Sequence, residues 1–141
     1  MNTDLIKAKD LLSENEYTLA AVRDNNIITS TERGVKPLLE LIDAGRSLSG
    51  YFAADKVVGM AAAYLYVLLD VKALYAKVIS RKALSVLEKY HIPAEYDTLA
   101  EAIKNRTGTG FCPMETAVLN AQSPEHALQL IRAKLKELSE K

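Results

Sequence analysis

The chain has 141 residues, 49% of them hydrophobic and 26% charged, with 18 Lys plus Arg against 18 Asp plus Glu. That length fits one domain, residues 1–141, with a core that needs no staples, and the zero net charge lacks the basic excess of a dedicated nucleic-acid binder, so no nucleic-acid partner is expected. A single cysteine, Cys112, excludes an intramolecular disulfide and any multi-cysteine metal site.

The start, MNTDLIKAKDLL, is charged and amphipathic. It lacks the basic start and apolar core of a secretory signal, and a cytoplasmic location is expected. Leu5, Ala8, Leu11 and Leu12 fall at helical spacing, which predicts a helix over residues 4–14 with Thr3 as its cap. Alternation follows on either side of Asp24-Asn25-Asn26. Asn and Asp tolerate the left-handed backbone of tight turns, so strands at about 17–23 and 26–31 form an antiparallel hairpin. The stretch STERGVKPLLELIDAG reads as a helix punctuated by Pro37 near its start and Gly45 at its end. Residues 46–56 read as a link or short strand.

Thirteen residues, Val57 to Leu69, then carry no charge: VVGMAAAYLYVLL. They are apolar all round except for two tyrosine hydroxyls. A bilayer span takes roughly 20 residues, so this is the buried central helix of a soluble domain and no membrane is expected. Residues 71–80 (VKALYAKVIS) read as a buried strand. Ser80 starts a helix with Ala83, Leu84, Val86 and Leu87 on its core face. Pro93 limits HIPAEYDTL to a strand start or edge. Residues 99–105 read as one or two helical turns, RTGTGFCP as a loop, and Pro113 to Asn120 as a helix. Ser123-Pro124-Glu125 opens a last helix over 124–139, with Ala127, Leu128, Ile131, Leu135 and Leu138 on one face. Strand–helix–strand units imply parallel pairing, and the hairpin adds an antiparallel edge. The predicted fold is α/β: a mixed sheet with helices on both faces, three layers in all.

Helix starts attract anions through their free N–H groups and dipoles. Three here carry polar or glycine-bearing sequence. The first, Ser30 to Pro37, offers Lys36; an ordinary cap with solvated charges is its plainer reading. The second, Asp55-Lys56-Val57-Val58-Gly59, sets an acid and a base at the mouth of the apolar helix. Charges are kept away from buried helices unless paired or useful. The third, Arg106-Thr107-Gly108-Thr109-Gly110-Phe111-Cys112-Pro113-Met114-Glu115, has glycines that allow close ligand approach, without the lysine and spacing of a P-loop. Cys112 stands at a helix start, where thiol pKa tends to fall, although an inert buried cysteine is the commoner case. Glu115 could serve only the start of its own helix. His91 and His126 form no motif and read as surface or structural residues.

Gly34-Val35-Lys36-Pro37-Leu38, Asp55 through Ala63, and Cys112-Pro113-Met114-Glu115 together resemble the small prokaryotic family catalogued as domain of unknown function 1893. The resemblance covers about residues 3–138. It implies a cytidine deaminase-like fold. Zinc deaminases open one helix with His-x-Glu or Cys-x-Glu and another with Pro-Cys-x-x-Cys. The matching starts here offer neither His, Cys nor Glu at 55–63, and Cys112 with Glu115 in place of the second cysteine. A catalytic zinc needs three protein ligands, and at most two survive. The resemblance therefore argues against zinc-dependent deamination, and no metal or cofactor is assigned.

Three readings follow. In the first, the domain binds a small ligand, a nucleotide or other phosphate-bearing molecule, between the helix starts; Lys36, Asp55, Lys56, Gly59, Arg106, Thr107, Gly108, Gly110 and Cys112 are its binding residues. In the second, it is an enzyme of another chemistry, with Cys112, Glu115 and Asp55 as catalytic or metal-ligating candidates. In the third, it is an interaction module whose tyrosines (Tyr51, Tyr64, Tyr66, Tyr75) pack or form a homo-oligomer. The first is the favoured reading.

Overall fold

A computed structural model of the chain describes residues 3–103 and 112–139. Its elements are α1 (Thr3–Glu14), β1 (Leu19–Arg23), β2 (Asn26–Ser30), α2 (Lys36–Asp43), β3 (Phe52–Val58), α3 (Met60–Leu69), β4 (Ala73–Ser80), α4 (Arg81–Lys89), β5 (Ala94–Ala100), α5 (Pro113–Ala117) and α6 (Pro124–Ser139). The five strands form one mixed sheet in the order β2-β1-β3-β4-β5. β1 runs antiparallel to both β2 and β3, while β3, β4 and β5 are parallel. Asp24, at φ 55°, makes the hairpin turn that its residue type allows.

α1 lies alone on one face of the sheet. Its Leu5, Ala8 and Leu12 pack with Val22, Phe52, Ala54 and Tyr75. The opposite face carries α3, which also packs against α2, α4 and α6. Sheet on one side and helices around it bury most of α3 and leave Tyr64, Val67 and Leu68 only partly exposed, in keeping with a sequence that has no charged stripe. Met60, Ala61, Ala62, Ala63, Leu65, Tyr66 and Leu69 are all buried. Ser80 caps α4 by accepting the Ala83 N–H at 3.1 Å.

Four sequence expectations need correction. Of the link or short strand expected over 46–56, the strand is found, but it runs over 52–58 as the centre of the sheet, and the helix begins at Met60 rather than Val57. Asp55 and Lys56 break the hydrophobic signal of that strand, while Val57 and Val58 suit extended backbone. The helical turns expected at 99–105 are absent as far as Ile103. β5 continues to Ala100 because Leu99 and Ala100 pair with Ile79 and Ser80, and ladder bonds override a local helical preference. Residues 104 and 105 lie outside the described residues. The helix expected from Pro113 to Asn120 ends at Ala117 and gives way to a turn. Finally, α6 buries only Pro124, Ala127 and Ile131. Leu135 and Leu138 are 37% and 39% exposed, because a 16-residue helix outruns the ten-residue α3 beneath it.

Candidate functional site

The parallel part of the sheet directs its carboxyl ends towards the start of α3, and β1 begins there, with Leu19 opposite Asp55. A cleft of about 780 Å³ opens at this point. Crevices at the carboxyl ends of strands are where open α/β sheets hold ligands. Its described lining comes from four segments: Thr18 and Leu19; Glu32 to Val35 with Pro37; Asp55 to Val57 with Gly59, Ala61 and Ala62; and Ile103 with Cys112 to Glu115. Leu138 of α6 closes one side.

Asp55 is half-buried on β3. Its side chain turns to α3, where Oδ2 accepts a hydrogen bond from the Tyr66 hydroxyl at 2.6 Å. Oδ1 accepts the Val57 N–H at 3.3 Å. Burial pushes its carboxyl up from 3.8 to about 7, against the pull of the hydrogen bonds from Tyr66 and the backbone of Val57 and Lys56. Burial, reinforced by the Asp55 charge, also holds the Tyr66 phenol well above its usual value. Among the described residues no ion pair includes Asp55.

Glu115 reaches from the first turn of α5 to the start of α3. Met60 donates its N–H to Oε1 at 2.6 Å and Ala61 donates to Oε2 at 2.9 Å. Gly59 precedes α3 with no side chain to cap it, and a carboxylate at a helix start satisfies orphan donors and meets the positive end of the dipole. A Cβ at residue 59 would overlap that carboxyl, so glycine is needed for the approach. Beyond Glu115 lies a smaller cavity of about 250 Å³, bordered by Met60, Ser80, Lys82 and Thr116.

Of the binding and catalytic candidates, Asp55, Lys56, Gly59, Cys112 and Glu115 meet at the cleft. Lys36 does not line it; its ammonium pairs with Glu32 at 3.5 Å. Arg33 stands at the cleft instead. Arg106, Thr107, Gly108 and Gly110 lie outside the described residues. Cys112 is the cap residue of α5, with its N–H donating to the Ile103 carbonyl at 3.1 Å and its own carbonyl accepting from Glu115 and Thr116. Among the described residues no group of three His, Cys, Asp or Glu side chains is placed to hold a metal ion. His126 serves the start of α6, where its N–H donates to Ser123 Oγ and its Nδ1 accepts from Gln122. His91 is exposed just past α4.

Sequence reasoning overlooked Tyr66 as the partner of Asp55. Part of the signal was available: a phenol buried in an apolar helix needs an acceptor, and Asp55 and Asp70 are the acids that flank that helix in sequence. Arg33 lay within the first candidate helix start, whereas Thr18 and Leu138 gave no such signal, since only the folded chain brings them to the cleft.

The model of the family described as Domain of unknown function (DUF1893) matches residues 7–135. The chain belongs to the DUF1893 family. In three dimensions this DUF1893 chain is similar to the crystal structure of a DUF1893 family protein (TM1506) from Thermotoga maritima, with a TM-score of 0.84 and 30% sequence identity over 97% of this chain and 92% of that one. No curated protein matches the DUF1893 chain in sequence. No helix among its described residues is long and apolar enough to cross a membrane.

Proposed function

We propose that the chain is a small-molecule-binding domain and that the cleft at the end of β3 is its binding site. The observation that carries this reading is Asp55, a half-buried acid with no ion-pair partner among the described residues, at a cleft of about 780 Å³. Ligand sites are mostly apolar hollows of roughly 300–1,000 Å³ with a few placed polar groups. Ala61, Ala62, Val35, Pro37 and Met114 supply the apolar part here. A cytidine deaminase-like arrangement belongs to the same proposal, supported by the meeting of the α3 and α5 starts.

A phosphate at the α3 start is less well supported, because Glu115 already accepts from Met60 and Ala61. The same engagement removes Glu115 as a base for Cys112 and weakens the enzyme reading. The test is the mass of freshly purified protein, native and denatured, for wild type and Asp55→Asn. A ligand held in the cleft gives a native excess that vanishes on denaturation and is reduced in the variant. An unchanged melting temperature across a broad metabolite panel, together with no native excess, would overturn the proposal.

A further inference from the structure

Burying a carboxyl without a countercharge is costly, and no described residue forms an ion pair with Asp55, which lies at a cleft rather than in the core. The groups around Asp55 can be named element by element. α3 presents the Tyr66 hydroxyl, a neutral donor. β1 presents Leu19 and β4 presents Ala76, both apolar. Among the other lining residues, Lys56 and Arg33 are basic and Glu32 and Glu115 are acidic; neither base forms an ion pair with Asp55 among the described residues. A carboxylate accepts about four hydrogen bonds, and those from Tyr66 and Val57 leave room for a further donor.

We infer that Asp55 anchors a small cation bearing N–H donors, an amidinium or protonated amine on a flat apolar body, which supplies the countercharge that no described residue gives it. This rests on the binding reading above and narrows it to a ligand class. The small side chains of Ala61 and Ala62 line the same cleft as Asp55, with Val57 and Met114 as apolar walls for such a body. The cation favours the ionised carboxyl, so its binding expels a proton wherever Asp55 is partly protonated beforehand.

The experiment uses three probes of one shape and different charge: benzamidinium, benzamide and benzoate. Each is titrated into the full chain and followed by backbone amide NMR. Benzamidinium is expected to bind about tenfold tighter than benzamide, a difference of about 1.4 kcal/mol. Its shifts should centre on Thr18, Val57 and Gly59. The preference should disappear in Asp55→Asn, and wild-type affinity should rise as pH increases from about 6 to about 8, with proton release. Should the variant fail to fold, the wild-type pH dependence decides by itself, and a flat profile overturns the inference. Saturable binding of benzamide or benzoate as tight as that of benzamidinium, or proton uptake, overturns the cation assignment and leaves the binding reading standing. No saturable shift with any of the three overturns the inference; the mass comparison then judges the binding reading separately.

Discussion

At the scale of single residues, Asp55 sets the electrostatics of the site. Its carboxyl titrates near 7 in the fold and near 3.8 when unfolded. Below about pH 4 both states hold the proton, and its charge costs nothing. Between about pH 4 and about pH 7 the unfolded chain has lost the proton and the folded chain has kept it. Stability therefore falls as pH rises through this window, and above it the folded state carries the full cost of a buried charge. Asp55→Asn keeps the shape and removes the charge. It is expected to stabilise the protein by about 2 kcal/mol near pH 8 and by almost nothing near pH 4, as read from urea unfolding at each pH. A gain independent of pH would place the effect elsewhere than in ionisation.

At the scale of elements, the junction of α3 and α5 depends on Glu115 and Gly59 fitting each other. Gly59 has φ −96° and ψ −179°, ordinary extended backbone, so alanine there is not strained by its own torsions. Its cost comes from overlap with the Glu115 carboxyl. Gly59→Ala is expected to destabilise by about 2 kcal/mol, and Glu115→Ala by about 1–2 kcal/mol through loss of two charge-assisted hydrogen bonds. In the double variant the overlap is gone, so the combined cost should fall short of the sum by about 1 kcal/mol or more. Strict additivity in denaturant melts would contradict a direct contact. Each half of this junction was partly legible in the sequence. Glycine before an apolar helix and an acid after Cys112-Pro113 both stood out as helix starts. That the acid serves the other helix, 55 residues away in sequence, was not legible, because local spacing assigns Glu115 to its own first turn.

At the scale of the whole molecule, the reading from sequence succeeded where periodicity was undisturbed. The hairpin around Asp24, the strand ending at Ser80 and the helix capped by Ser80 stand where their residues indicate, and the uniformly apolar run contains α3. The central strand β3 was legible only as a link or short strand ending at Lys56, because Asp55 and Lys56 interrupt its apolar pattern and Val57 and Val58 read as the start of the helix. The last helix shows the opposite error. Its apolar stripe continues through Leu135 and Leu138, but the layer beneath stops short of them. Ile131→Ala should therefore cost about 2–4 kcal/mol by opening a cavity, whereas Leu135→Ser should stay within about 0.5 kcal/mol. Comparable losses from the two substitutions in thermal melts would mean that the C-terminal half of α6 is covered in solution.

At the open cleft, Asp55 has no countercharge among the described residues. The most direct test is a carbon-detected NMR titration of the Asp55 side-chain carboxyl in the purified chain, from about pH 3 to about pH 9. A midpoint near 7 is the expected result. A midpoint near 4, the ordinary range for aspartate, would show that Asp55 is well solvated or already paired, and the case for a cation anchored in the cleft would fall with it.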